Sequence, residues 1–284
     1  MGRARTADAL IATSALPRLE ARALLEFATG HRREWLLAHG DEPLESAVSE
    51  RFLALEARRL AGEPIAYLCG EREFHGLVLR ITPAVLIPRP ETELLVDEAC
   101  ARAPTGASVL DLGTGSGAIA IAIATLRSDL RLTATDCSAD ALALAQDNAR
   151  RHGLGPDRLT FRPGTWWQAL TPGTRFDLIV SNPPYIAASD PHLAQGDLRF
   201  EPRTALASGP DGLDALRDIA SGALNHLRAG GGLMVEHGWD QGEAVRMLFA
   251  AAGLTDPCTL RDLAGHERVT LAHAPAIALR PHVV

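Results

Sequence analysis

The sequence predicts an α/β protein: a small all-helical bundle, a β-hairpin linker, and a larger Rossmann-like, doubly wound sheet domain. Three observations lead there. From Ala7 to about Leu60 the apolar residues fall at helical spacing with no alternating run. Beyond the linker, strand-like and helix-like segments alternate. Within that stretch, Val109-Leu110-Asp111-Leu112 runs directly into the glycine-rich turn Gly113-Thr114-Gly115-Ser116-Gly117.

The helical part is broken by Pro17, Gly30 and the turn at residues 40–43, and Val48, Phe52 and Leu55 fall at i, i+4 and i+7, one stripe of a helix. It is placed at residues 1–72. Phe74-His75-Gly76-Leu77-Val78-Leu79-Arg80-Ile81 is rich in β-formers around a glycine, as in a hairpin. Pro83, Pro88 and Pro90 stiffen the connection after it, so residues 73–90 form the linker. The sheet domain takes residues 91–284. In it, strands are expected at 108–112, 131–135, 176–180, 233–235 and 268–272. Helices are expected at 116–126, 139–151, 213–227 and 243–252, with Ser138 as a cap and Gly153 as a stop.

Composition narrows the function. Of 284 residues, 46% are apolar, yet no uninterrupted apolar run reaches the roughly 20 residues that cross a bilayer, and Arg3 and Arg5 introduce no apolar stretch of a secretion signal. A cytoplasmic protein without a membrane partner is expected. The formal charge of -7 speaks against a grip on long nucleic acid. Cys69, Cys100, Cys137 and Cys258 form no CxxC pair and are read as reduced and structural. The ten histidines show no ligand spacing, so no metal is expected.

Glycines let a backbone turn sharply and let a ligand approach the main chain, and the turn at 113–117 lacks the lysine of a phosphate-binding P-loop. Asp136 ends the next strand roughly 20 residues on, where an acid accepts hydrogen bonds from a ribose diol. Nicotinamide and adenosylmethionine sites both place an acid there. A loop acid that caps the following helix is the plainer alternative.

Ser181-Asn182-Pro183-Pro184-Tyr185 decides between the cofactors. It follows a buried strand at the carboxyl end of the sheet, where α/β folds bind ligands, and its prolines contribute carbonyls without N–H donors. The lone pair of an sp² nitrogen is delocalised, so such a nitrogen is a poor nucleophile. Holding both its hydrogens with the Asn182 oxygen and the Pro183 carbonyl orients it toward a methyl sulfonium. The Tyr185 ring can pack on the flat acceptor. A strand-ending turn with no chemistry is the alternative.

These residues resemble the HemK/PrmC family of release factor glutamine methyltransferases over nearly the whole chain. The match lies in Gly70-Glu71-Arg72-Glu73-Phe74, in Leu86-Ile87-Pro88-Arg89-Pro90-Glu91-Thr92-Glu93, in the stretch from Asp111 to Gly117, and in Ser181 to Ile186. Glu236-His237-Gly238-Trp239 and His266-Glu267-Arg268-Val269-Thr270 add to it. The resemblance implies a seven-stranded class I methyltransferase domain that uses S-adenosyl-L-methionine and releases S-adenosyl-L-homocysteine. The implied acceptor is the glutamine N5 of a Gly-Gly-Gln motif in class I peptide chain release factors, contacted also by the helical domain.

Carried over by position, Gly113, Thr114, Gly115, Ser116 and Gly117 would contact the methionine part of the cofactor, Asp136 its ribose and Trp166 its adenine. Asn182 would border the cofactor and, with Pro183, Pro184 and Tyr185, bind the glutamine. Relatives often have an acid before that tryptophan where this chain has Thr165, so Trp167 competes with Trp166 for the role. Arg89, Glu91 and Glu93 either wall the pocket or form a linker-to-helix cap, where acids are favourable. Trp35 and Trp239 are read as packing residues. Rival acceptors are a ribosomal-protein glutamine and an adenine N6 in nucleic acid, the latter needing a basic groove that the charge does not supply. A non-catalytic adenosylmethionine-binding module would be favoured by a degraded glycine turn or a lost Asn182, and both are intact.

Overall fold

The computed structural model describes residues 5–276. The outer ends of the expected ranges 1–72 and 91–284, Arg3 among them, lie outside the described residues. The chain divides into two compact units, one holding the chain through Glu71 with Ala194–Phe200, the other Arg72–Leu193 and Glu201 onward. The contiguous ranges expected from the sequence differ from this at the segment 194–200, which belongs with the helices.

The helical unit contains α1 (Ala7–Thr13), α2 (Arg18–Thr29), α3 (Arg33–Ala38), α4 (Ser46–Leu60) and α5 (Ile65–Cys69). Thr6 caps α1 by accepting the Ala9 N–H. Pro17 directly precedes α2, where its missing N–H costs nothing. Leu10, Leu24, Leu25, Phe52, Leu55 and Leu68 close the core. Arg59 grips Glu20 through two hydrogen bonds of 2.7 and 2.9 Å and reaches Asp197 at 2.8 Å, which fastens the distant segment to α2 and α4. Trp35 stacks between His31 and His39, centroids 4.0 and 4.7 Å away, on the edge of this core.

The second unit opens on the hairpin β1 (Glu71–Phe74) and β2 (Leu77–Arg80), joined by the two-residue turn His75-Gly76. A 3-10 turn, Pro90–Thr92, leads into α6 (Glu93–Arg102). Next in the chain come β3 (Ser108–Leu112), α7 (Ala118–Leu126), β4 (Arg131–Asp136), α8 (Ala139–Arg151), β5 (Leu159–Pro163), β6 (Phe176–Ser181), α9 (Asp214–His226), β7 (Leu227–Glu236), α10 (Gly242–Ala251), β8 (Thr255–Arg261) and β9 (Glu267–His273). The strands from β3 onward form one seven-stranded sheet in the order β5-β4-β3-β6-β7-β9-β8, with β9 antiparallel to both neighbours. Helix α7 is apolar and buried from Ala118 to Ala124, as a helix segment covered on all sides must be.

The order of strands reverses direction between β3 and β6, and such a switch point opens a crevice at the carboxyl ends of the strands. The glycine turn leaves β3 there and Asn182 leaves β6. Ser181 Oγ donates to the Leu112 carbonyl at 2.7 Å and holds the two exits side by side. No helix among the described residues is long and apolar enough to cross a membrane.

Candidate active site

A cavity of about 330 Å³ opens at this switch point, in the size range of small-molecule sites. Gly113, Thr114, Gly115, Ser116, Asp136 and Trp166 line it from the β3 and β4 side, Asn182, Pro183 and Pro184 from the β6 side, and Arg89 and Thr92 from the linker. Gly117, Tyr185, Glu91 and Glu93 do not line it.

Gly117 has a different task. Its φ of 85° is left-handed, and a Cβ there would stand 2.8 Å from Ile121 Cδ1 and 3.1 Å from the Ala145 Cβ, so glycine lets α7 start close against α8. This is why α7 begins at Ala118 and not at Ser116. Gly113 serves Trp166: a Cβ would lie 3.3 Å from the indole, which therefore covers the glycine turn. Trp166 holds this place with a left-handed φ of 46°, uncommon for a bulky residue. Trp167 turns the other way, donating from Nε1 to the Asp218 carbonyl at 2.9 Å and stacking on His226 at 5.0 Å.

Asp136 accepts the Gly115 N–H at Oδ2 and the Ser138 N–H at Oδ1, each at 2.9 Å, while Ser138 itself caps α8 through Ala141. The acid thus shapes the glycine turn and presents its remaining lone pairs at the cavity. Beneath the turn, Asp111 is buried and bonded to the Thr114 hydroxyl at 2.6 Å. Burial pushes its carboxyl up to about 7. Cys137, read as a structural cysteine, is exposed at the cavity wall.

Asn182 donates from Nδ2 to Thr92 Oγ1 at 3.1 Å, so its acceptor oxygen is the half of the amide available to a ligand. The Tyr185 hydroxyl donates to Glu236 Oε1 at 3.1 Å, and the Tyr185 carbonyl accepts from Gln241 Nε2 at 3.0 Å. Burial, and next the Glu236 charge, push the Tyr185 hydroxyl well above its ordinary value, so it stays a donor. Burial likewise pushes Glu236 up to about 7. In the linker, Arg89 pairs with Glu201, whose other oxygen accepts the Ile87 N–H at 2.9 Å, and Glu93 accepts the His75 N–H at 2.9 Å. Of Arg89, Glu91 and Glu93, the first is in the wall, Glu91 lies in the 3-10 turn before α6, and Glu93 opens α6.

Thr92, Asn148, Glu201, Glu236 and Gln241 carry no signal of a role in the sequence, beyond the fact that Thr92 and Glu236 stand inside the motif blocks quoted for the resemblance. Trp239, read as packing, is 64% exposed; it sits on the loop after β7 with its ring centroid 6.2 Å from that of His266.

A seven-stranded sheet in this order, with a glycine turn and an Asn-Pro-Pro-Tyr exit meeting at its switch point, defines a class I methyltransferase. A methyltransferase of Pyrococcus furiosus shares the fold, with a TM-score of 0.55 at 18% identity over 78% of this chain and 98% of its own. Residues 3–70 match the PrmC N-terminal domain and residues 90–198 the methyltransferase small domain. Release factor glutamine methyltransferases are 54% identical over 93% of this chain and 96% of theirs in Xylella fastidiosa, and 54% identical over 92% and 96% in Bordetella pertussis. The chain belongs to the release factor glutamine methyltransferase family, and it is an enzyme that methylates protein glutamine.

Proposed function

We propose that this protein transfers the methyl group of S-adenosyl-L-methionine to the N5 amide nitrogen of the glutamine in the Gly-Gly-Gln motif of class I peptide chain release factors. The observation that carries this reading is the single cavity walled on one side by Gly113 to Ser116, Asp136 and Trp166 and on the other by Asn182, Pro183 and Pro184. The donor set fits the cofactor: backbone N–H groups and small residues for its amino-acid part, a carboxylate for a ribose diol, and an indole for adenine. A 16S rRNA methyltransferase of T. thermophilus, with the same fold at a TM-score of 0.53 and 20% identity over 72% of this chain, is described in complex with AdoMet.

Bound here, S-adenosyl-L-methionine supplies a methyl group on a positively charged sulfur and departs as S-adenosyl-L-homocysteine. The protein's part is to orient the acceptor. Asn182 Oδ1 and the Pro183 carbonyl accept the two amide hydrogens, which points the nitrogen lone pair across the cavity. Tyr185, its hydroxyl tied to Glu236 and its carbonyl to Gln241, anchors the end of the Asn-Pro-Pro-Tyr tetrapeptide. A new N–C bond forms as the S–C bond breaks, and the amide then loses one hydrogen to solvent as a proton. No strong base is required before transfer.

The helical domain, residues 1–72, is assigned to contact with the release factor, and the linker, residues 73–90, to joining it to the methyltransferase domain at 91–284. With that acceptor the protein works in the cytoplasm. The test is incubation with methyl-labelled cofactor and, separately, a class I release factor, a ribosome fraction and DNA, followed by mass mapping. Label on the glutamine of Gly-Gly-Gln is expected. Label confined to ribosomal protein or DNA would keep a methyltransferase and remove this acceptor.

A further inference from the structure

An asparagine amide has an accepting end and a donating end of nearly equal shape, and a half-turn of the side chain exchanges them. Only with its oxygen toward the cavity can Asn182 receive a hydrogen from the glutamine. We propose that Thr92, beside the buried Glu236, is the positioning residue that fixes which end of the Asn182 amide meets the glutamine. The inference rests on the acceptor role of Asn182 proposed above.

The geometry supplies the direction. Asn182 Nδ2 lies 3.1 Å from Thr92 Oγ1. A hydroxyl both donates and accepts, so by itself it could hold either end of the amide. What decides is the group behind it. The Thr92 hydroxyl faces the Glu236 carboxyl, which is 1% exposed, takes the Tyr185 hydroxyl on Oε1, and has no hydrogen-bond partner for Oε2 among the described residues. Ionised, above about pH 7, this carboxyl has no donor of its own and attracts the hydroxyl hydrogen of Thr92. The threonine oxygen is then left with lone pairs, which the Asn182 NH2 satisfies at 3.1 Å.

With Glu236 ionised, the Thr92 hydroxyl turns its hydrogen toward the carboxyl and its lone pairs toward the Asn182 NH2. Asn182 and Tyr185, the two ends of the tetrapeptide, rest on the same carboxyl at the end of β7. The unpartnered Oε2 of Glu236 is the acceptor toward which the Thr92 hydroxyl can turn. This gives Thr92, within the motif block quoted for the resemblance, a role at the acceptor.

The test compares wild type with Thr92→Val, which keeps the shape and removes the hydroxyl, and Thr92→Ser, which restores it. A class I release factor is the substrate, and cofactor affinity is measured separately. Thr92→Val is expected to lower kcat at least about tenfold while cofactor Kd and the KM for the release factor change by less than about threefold, with Thr92→Ser within about threefold of wild type. A Thr92→Val enzyme with unchanged kcat, or a Thr92→Ser enzyme as slow as Thr92→Val, would overturn the proposal. If Thr92→Val melts well below wild type, Glu236→Gln decides instead: a loss of kcat at intact cofactor affinity supports the role, and a wild-type kcat refutes it. If wild type leaves the release factor unlabelled, the proposed function fails on its own. The position of Thr92 is then judged from the Asn182 side-chain NH2 signals in ¹⁵N-labelled protein. They should exchange slowly in wild type and Thr92→Ser and quickly in Thr92→Val, and equal rates in all three would overturn the inference.

Discussion

Asn148 and Arg80 are joined by a reciprocal pair of hydrogen bonds: the Arg80 N–H donates to Asn148 Oδ1 at 2.8 Å, and Asn148 Nδ2 donates back to the Arg80 carbonyl at 3.0 Å. The second hydrogen of the same NH2 goes to the Ser116 carbonyl at 2.9 Å. One side chain, fully buried on α8, thus ties the hairpin's last residue to the cofactor turn.

Asn148→Ala should strand a buried N–H and two carbonyls. The expected cost is about 2–4 kcal/mol of stability in denaturant unfolding, with weaker cofactor binding because Ser116 is in the cavity wall. Loss of stability at unchanged cofactor affinity would mean that the turn keeps its shape without this tie.

Asn182→Ala and Asp136→Ala should fail in opposite ways. The first removes an orienting acceptor, so kcat should fall roughly a hundredfold or more while cofactor affinity stays close to wild type. The second removes the group that accepts the Gly115 and Ser138 N–H bonds, so cofactor affinity should drop first, by about tenfold or more. Calorimetric titration of each variant with the cofactor, beside single-turnover rates, separates the two. A joint loss of affinity in both would merge their roles.

The neighbouring tryptophans should likewise divide. Trp166→Ala opens the cavity wall and should weaken cofactor binding with little change in melting temperature. Trp167→Ala removes the bond to Asp218 and the stack on His226, and should cost about 1–3 kcal/mol of stability at nearly unchanged cofactor affinity.

Glu236 makes stability depend on pH. Burial raises its carboxyl from 4.5 to about 7, with Glu91 adding to the shift and Thr92, Tyr185 and Arg268 opposing it. Between those values the folded protein keeps a proton that the unfolded chain has released, so this group's contribution to stability is full at low pH and is lost as pH rises through about 7. Glu236→Gln does not ionise. Its stability relative to wild type should therefore rise from pH 5 to pH 8, by on the order of 1–3 kcal/mol. A difference that stays flat across that range would show that Glu236 titrates normally.

Much of this was legible in the residues because local patterns and tertiary demands coincide. The strand into Gly113, the Ser138 cap and the Phe52 stripe each follow from short-range rules, and each is found. The strands that periodicity misses are those at the sheet's two edges. In β5 only Leu159 is buried, and in β8 no residue is, so neither writes an apolar run into the sequence. β7 is longer than its apolar run because Gly230, Gly231 and Gly232 interrupt the pattern, next to a register shift against β6. At the site, the residues offered to ligand were readable from their chemistry, whereas Thr92, Asn148 and Glu236 work through partners 90, 68 and 51 positions away, a distance no local pattern encodes.

The return of residues 194–200 to the helical unit sets an order on synthesis. Asp197 leaves the ribosome 138 residues after Arg59, roughly ten seconds or more at ordinary elongation rates. Until then Arg59 has Glu20 and the Glu63 carbonyl, and the amino-terminal helices wait as an incomplete body while the strands up to β6 are being made. The helical unit is therefore completed only while the sheet unit is being made, and the amino-terminal helices cannot be exchanged between relatives by a single crossover without separating Arg59 from the aspartate it was matched to.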